Sequence, residues 1–174
     1  TDAHHVAYLV GGSVRDFLLG RPTKDHDIAT DAKPDTLVKL FPNAITVGKA
    51  FGVIKVPIED SVVEITTFRE DQAYLDHRHP KKVTFKGPIE DSKRRDFTIN
   101  ALYYDTKTQR ILDLTGGLQD LHQRLIRAIG NPTDRFQEDA LRLLRAVRFS
   151  TSLQFEIESE TYRAIKKRFR LLGK

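Results

Sequence analysis

Cysteine is missing from all 174 residues. That excludes a disulfide framework, a thiolate metal site and a thiol nucleophile, and it suits a reducing compartment such as the cytoplasm. Methionine is missing too, even at the first position. Together with a last stretch, Leu171-Leu172-Gly173-Lys174, that interrupts a helical pattern, this leads us to expect cut ends on both sides. No apolar run approaches the roughly 18 residues of a membrane span, and Thr1-Asp2-Ala3-His4 has no signal-peptide character, so a soluble protein is expected. Internal repeats and low-complexity tracts are absent. What remains is ordinary, with 39% hydrophobic and 30% charged residues, enough chain for one good core or a domain with an appendage. A formal charge of +5 fits a polyanionic partner, but its placement matters more than its total.

The stretch from Tyr8 to Thr30 carries the densest chemistry. An apolar run, Val6 to Val10, stops at Gly11-Gly12, and Val14, Phe17 and Leu18 continue at helical spacing to Gly20. Strand, glycine turn and helix present backbone N–H groups to an anion at a positive helix end. Lys24-Asp25-His26-Asp27-Ile28 follows, read as a short strand with both carboxylates on one face, about 6–7 Å apart along the chain. Such a pair can hold two Mg²⁺ ions about 3.5–4 Å apart for in-line phosphoryl transfer. A Rossmann turn is the competing reading, but G-x-G-x-x-G is absent and no repeated βαβ units follow.

Further along, Pro34 to Phe41 has helical spacing, and Ala44–Val47, Gly52–Ile58 and Ser61–Phe68 read as strands of an antiparallel ribbon. In the last of these, Glu64 sits among apolar neighbours, where a carboxylate needs a partner or a cation; it is the candidate third carboxylate of the metal site. Residues 69–92 read as a long irregular loop with one short strand, Lys82–Phe85. Its Tyr74, Asp76, Arg78, His79, Lys81 and Lys82 suit a nucleotide or RNA backbone, with a solvated loop as the alternative. A short helix is expected over Lys93–Leu102, with Phe97 and Ala101 inward; Asp96 and Asn100 can meet a ribose and Arg94-Arg95 a phosphate, with an ordinary polar helix surface as the default alternative. Tyr103–Asp105 and Arg110–Leu114 form a hairpin, and Gly116-Gly117 marks a hinge, so a boundary is placed near residue 115. Helices then dominate: Gly117–Gln123, one from Asn131-Pro132 to about Phe149, and one from about Ser159 to Phe169.

Within Glu138–Phe149, Ala140, Leu141, Leu143, Leu144 and Val147 form an apolar stripe, and Asp139, Arg142, Arg145 and Arg148 a polar side. The bland reading is an i,i+3 salt bridge worth about 0.2–0.5 kcal/mol. A more specific one exists: Asp139 only accepts and Arg142 only donates hydrogen bonds. Side by side they match a base edge with an amino group next to a bare ring nitrogen, as in cytosine and adenine, and mismatch uracil and guanine. His77-x-His79 lacks further ligands for zinc.

Several motifs together resemble the class II tRNA nucleotidyltransferases, the CCA-adding enzymes, and their bacterial poly(A) polymerase relatives in the DNA polymerase β superfamily. They are Gly11-Gly12-x-x-Arg15-Asp16, Leu18-Leu19-Gly20-Arg21, Asp25-x-Asp27, Glu64-x-x-Thr67-Phe68-Arg69, Arg94-Arg95-Asp96-Phe97-Thr98-x-Asn100-Ala101, Asp113-x-x-Gly116-Gly117 and Glu138-Asp139-x-x-Arg142-x-x-Arg145-Ala146-x-Arg148-Phe149. The resemblance implies an α+β nucleotidyltransferase head, a small mixed β-sheet flanked by helices (residues 1–115), then an all-helical neck (116–174), with body and tail domains absent. It implies addition of CMP and AMP to the tRNA 3′ end with release of pyrophosphate. Asp25 and Asp27 would hold Mg²⁺ with Glu64 beside them. Gly11, Gly12 and Arg15 would hold the triphosphate, Asp96 and Asn100 the ribose, and Asp139 with Arg142 the base of CTP or ATP, with Lys24, Arg94, Arg145 and Arg148 as further nucleotide-binding residues. The Tyr74–Pro80 loop resembles that of full CCA-adding members rather than the shortened CC-adding ones. Poly(A) polymerase or A-adding activity, a non-catalytic RNA-binding module, and transfer to a small molecule are the alternatives.

Overall fold

Short β-branched runs broken by glycine turns, and later helices with one apolar face, give this chain its two halves. A computed structural model describes residues 4–23, 25–59, 61–74 and 80–173. In chain order the elements are β1 (Ala7–Val10), α1 (Gly12–Leu18), β2 (Asp27–Thr30), α2 (Pro34–Leu40), β3 (Val53–Ile58), β4 (Ser61–Thr67), β5 (Arg69–Tyr74), β6 (Pro80–Phe85) and α3 (Pro88–Arg94). They continue with β7 (Leu102–Asp105), β8 (Arg110–Asp113), α4 (Gly117–Gln123), β9 (Leu125–Ile126), α5 (Pro132–Glu138), α6 (Leu141–Leu153), β10 (Glu156–Ile157) and α7 (Ser159–Arg168). The fold is α+β, a mixed sheet flanked by helices, as expected. Six strands lie in the order β3-β4-β2-β1-β7-β8, and β2/β4 is the parallel pair among antiparallel ones. After residue 116 the chain is helical apart from a two-residue parallel ladder between β9 and β10.

Register places the site. β2 sits between β1 and β4, pairing Asp27 with Val10 on one side and Glu64 on the other, so the glycine turn and two carboxylates meet at one sheet end. Helix α1 starts there because Gly11 takes φ +78° and ψ −138°, a conformation that side-chain-bearing residues avoid. Val14, Phe97, Ile99 and Leu102 share one hydrophobic cluster with Leu121, Ile126, Ala146 and Phe149, so apolar surface from both sides of residue 115 is buried together. Gly117 lies tight against that cluster: a Cβ there would collide with the Thr98 carbonyl. The Gly116-Gly117 pair opens α4, with the Asp113 carboxylate accepting from the backbone N–H groups of residues 115 to 118.

Several expectations are corrected. Asp25 lies before β2, so only Asp27 of the pair is on the strand. Residues 44–47 contribute only an isolated bridge, Ile45 to Lys55, not a strand. Within 69–92 the short strand expected at Lys82–Phe85 is there as part of β6, but it pairs in an antiparallel hairpin with β5, which carries no hydrophobic alternation to announce it, and α3 follows. The helix expected over Lys93–Leu102 ends at Arg94, because it starts earlier, with Pro88 at its first position, and Arg95 is already extended at ψ 165°. The single helix from Pro132 to Phe149 is two, broken where Asp139 turns extended at φ −141°, ψ 103°. Its stripe also rotates: Leu143 is buried, while Leu141, Leu144 and Val147 are exposed, and Arg142, Ala146 and Phe149 take the inner face. No helix among the described residues is long and apolar enough to cross a membrane.

Candidate active site

Between the sheet end and α6 lies a cavity of about 870 Å³. It is lined by Gly11, Gly12, Arg15, Asp25, Asp27, Arg94, Asp96, Asn100, Asp139, Arg142, Arg145 and Arg148, residues drawn from four separate stretches of chain. Glu64 stays outside it, in an adjoining pocket that it shares with Asp27, Arg94 and Arg95. Lys24 and residues 75–79, with Asp76, Arg78 and His79, fall outside the described residues.

One end of the cavity holds the carboxylates. At Gly11 a Cβ would sit 3.5 Å from Asp27 Oδ2 and 3.9 Å from Arg95 Nη1, so the bare turn leaves room between a carboxylate and a guanidinium. Desolvation at the strand face, then the neighbouring Glu64 carboxylate and, more weakly, Asp25, push the Asp27 carboxyl above its ordinary value, against the pull of Arg95. Glu64 is not the buried acid expected: its side chain is 41% exposed and faces Lys55 Nζ at 3.7 Å, its cross-strand partner on β3. Among the described residues no group of three or more His, Asp or Glu side chains gathers at metal-binding spacing, so Glu64 is not placed as a third ligand. The donor set that remains, Asp25 and Asp27, is hard oxygen. Mg²⁺ is commonly held by one or two carboxylates together with substrate phosphates, and the crowding at Asp27 is the kind a cation relieves, so the pair fits that ion.

The middle of the cavity is a polar chain. Arg15 is buried and donates to Asn100 Oδ1 at 2.6 Å and to both oxygens of Asp16 at 2.9 and 2.8 Å. Asn100 donates in turn to Asp96 Oδ1 at 3.2 Å, and Asp96 Oδ2 receives Arg145 Nε at 2.7 Å. Arg15 therefore joins the glycine turn, where its Nη2 would lie 3.5 Å from a Cβ at Gly12, to the Asp96–Asn100 pair. Asp96 and Asn100 meet without a helix between them, since the 3-10 turn at Thr98–Asn100 folds one back on the other. Beneath them the Phe149 ring carries three guanidiniums, Arg15, Arg145 and Arg148, at 5.0 to 5.2 Å from its centroid. Spacing alone offered no hint of this platform.

At the far end the break between α5 and α6 builds the third group. Asp139 accepts from the Leu141 backbone N–H at 3.0 Å, a turn just ahead of α6, and its other oxygen lies 4.0 Å from Arg142 Nε. Arg142 is buried and held by Glu138 at 2.9 Å and by the carbonyls of Arg135 and Arg94 at 2.9 and 3.2 Å. The pair thus stands side by side as expected, but through a helix break, not along one helix. Sequence reading missed Asp91, Tyr103 and Arg135. An acid three and four residues before the two arginines was the available signal for Asp91.

Residues 7–127 match the poly A polymerase head domain family. The chain belongs to that family. Along its length it is 49% identical to the CCA-adding enzyme of Ligilactobacillus salivarius, over 99% of this chain and 43% of that protein. Among solved structures, the Bacillus stearothermophilus CCA-adding enzyme in complex with CTP superposes with a TM-score of 0.88 at 42% identity, covering 99% of this chain and 41% of the other. A tRNA nucleotidyltransferase complexed with a primer tRNA and an incoming ATP analog superposes with a TM-score of 0.80 at 30% identity, over 99% of this chain and 48% of that one. This poly A polymerase-type head therefore spans less than half the length of the relatives it matches.

Proposed function

We propose that this chain is the nucleotidyl-transferring part of a CCA-adding enzyme, which adds CMP and AMP to the 3′ end of tRNA and releases pyrophosphate. The observation that carries the reading is the union, in one cavity, of a carboxylate pair beside a bare glycine turn with an acid–arginine pair able to read a base edge. The names of its relatives, and the CTP, ATP analog and tRNA in their complexes, support the same substrates. A cytoplasmic location accords with that substrate class.

In this reading Asp25 and Asp27 would hold Mg²⁺, with Glu64 a neighbouring charge. When bound, the metal supplies activation of the RNA 3′-hydroxyl and charge stabilisation on the departing pyrophosphate. The protein does the rest by positioning. Gly11 and Gly12 let the triphosphate approach the backbone, Lys24, Arg94 and Arg95 add positive charge beside it, and Asp96 and Asn100 accept and donate at the ribose. Asp139 accepts from the exocyclic amino group of C or A while Arg142 donates to the adjacent ring nitrogen. Arg145 and Arg148 close the wall. The helices that follow residue 116 present the base-reading pair.

The test is incorporation of labelled CTP and ATP into tRNA lacking its last three, two or one nucleotides. The reading expects two C then one A, with loss of all transfer in Asp25→Ala and Asp27→Ala. Long tails of A alone would reassign the chain to poly(A) polymerase, binding of RNA without turnover to a non-catalytic module, and labelling of a small alcohol or amine to another transferase.

A further inference from the structure

Behind the cavity wall lies a carboxylate that no step above uses. Asp91, on α3, is 0% exposed, and its two oxygens are shared among separate partners. Oδ1 receives Arg94 Nε at 2.9 Å and the Arg69 backbone N–H at 3.4 Å; Oδ2 receives Arg95 Nη2 at 3.0 Å and the Tyr103 hydroxyl at 2.8 Å. Tyr103 is itself fully buried, and its ring lies 5.2 Å below the Arg95 guanidinium. Burial would raise the Asp91 carboxyl, but Arg95 and Arg94 outweigh it and hold it below the usual carboxylate range. One carboxylate against two guanidiniums leaves the group net positive, and both arginines face the cavity.

We propose that Asp91 is a positioning residue for the cationic wall of the site: it splays Arg94 and Arg95 toward the triphosphate and departing pyrophosphate and fixes the turn that holds Arg142. The second half follows from the backbone. The Arg94 carbonyl accepts from Arg142 Nη2 at 3.2 Å and from Arg135 Nη2 at 2.5 Å, and the Arg95 carbonyl from Arg135 at 3.0 Å. The segment anchored by Asp91 thus joins the phosphate end of the cavity to the base-reading end. Two guanidiniums flank the glycine turn: Arg15, held by Asp16 and Asn100, would lie 3.5 Å from a Cβ at Gly12, and Arg95, held by Asp91, would lie 3.9 Å from one at Gly11. This inference rests on the nucleotidyl-transfer reading for the identity of its anion.

Steady-state transfer and inhibition by inorganic pyrophosphate are measured for wild type, Asp91→Asn, Asp91→Glu and Tyr103→Phe, with thermal unfolding of each. Loss of the charge at Asp91 is expected to raise KM for CTP and ATP and Ki for pyrophosphate together by about tenfold or more, with KM for RNA within about twofold. Tyr103→Phe, which keeps both arginines paired, should change them by about threefold or less. A merely structural Asp91 would lower stability and leave the Ki of the folded protein where it was, and that result overturns the proposal. If Asp91→Asn does not fold, Asp91→Glu decides: a Ki raised about threefold supports the proposal and an unchanged one contradicts it. A wild type that transfers nothing sinks the transfer reading alone, because calorimetric titration with pyrophosphate still compares wild type and Asp91→Asn.

Discussion

Replacing Phe149 by leucine tests whether its ring is a platform for charge or only core filling. The ring is 8% exposed, meets Phe97 edge-on at 5.9 Å and 84°, and lies under the guanidiniums of Arg15, Arg145 and Arg148. A buried apolar swap of similar size usually costs less than about 1.5 kcal/mol. Losing the aromatic pair adds about 0.5–1.5 kcal/mol. The Arg15 contact is desolvated, its side chain being 9% exposed, and is worth about 1–2 kcal/mol; Arg145 is 43% exposed and repelled by its neighbours, so the other two contacts together add about 0.5 kcal/mol. The expected total is about 2–5 kcal/mol, read by urea unfolding with an unchanged m-value, or a drop in Tm of about 4–20 °C for a chain of this size. A loss of about 1 kcal/mol or less would show that the ring fills space and that the three arginines are placed by other contacts.

Other changes follow from the same geometry. Gly117→Ala should cost about 2 kcal/mol or more, because the new methyl meets the Thr98 carbonyl and Leu102 in a packed core; calorimetry reads it, and a neutral substitution would mean that α4 can shift. Gly11→Ala combines a φ of +78° with a methyl 3.5 Å from Asp27 Oδ2, so transfer should fall at least about a hundredfold while stability falls by only about 1–3 kcal/mol; equal loss of both would deny Gly11 a special part in the site. Glu158 caps α7 and also accepts from the Thr161 hydroxyl; these bonds outweigh its partial burial and bring its carboxyl down to about 2. Since the folded value is lowered, its stabilisation is full above the ordinary Glu value and is lost as pH falls from about 5 toward 2. Glu158→Gln should therefore flatten the acid limb of the stability profile, and an unchanged limb would contradict the cap.

Where local chemistry and fold agree, the sequence was legible. The Gly11-Gly12 turn, the β3–β4 ribbon, the β7–β8 hairpin and the Asn131-Pro132 helix start each carry their own signal, and each stands where it was expected. Misreadings came where tertiary contacts override the pattern. β5 has no apolar face, so only its pairing with β6 reveals it as a strand. The α5–α6 break has no glycine or proline at Asp139-Ala140; the Asp139 side chain instead turns back onto the Leu141 backbone N–H. Glu64 stands among apolar residues in sequence, yet Lys55 on the adjacent strand and solvent exposure stabilise it. Twelve candidate residues converge on one cavity because the motif order encodes it, whereas Asp91, Tyr103 and Phe149 act through contacts distant in sequence, which spacing does not record.

The central claim is that Asp139 and Arg142 choose the base. Its most direct test is the ratio of kcat/KM for CTP over UTP and for ATP over GTP, in wild type and in Asp139→Ala. A site built to pair an amino group with an acceptor should favour C and A by at least about a hundredfold, and removing the acceptor should shrink both ratios to within about tenfold. Ratios that survive the substitution intact would place base selection elsewhere and contradict this account.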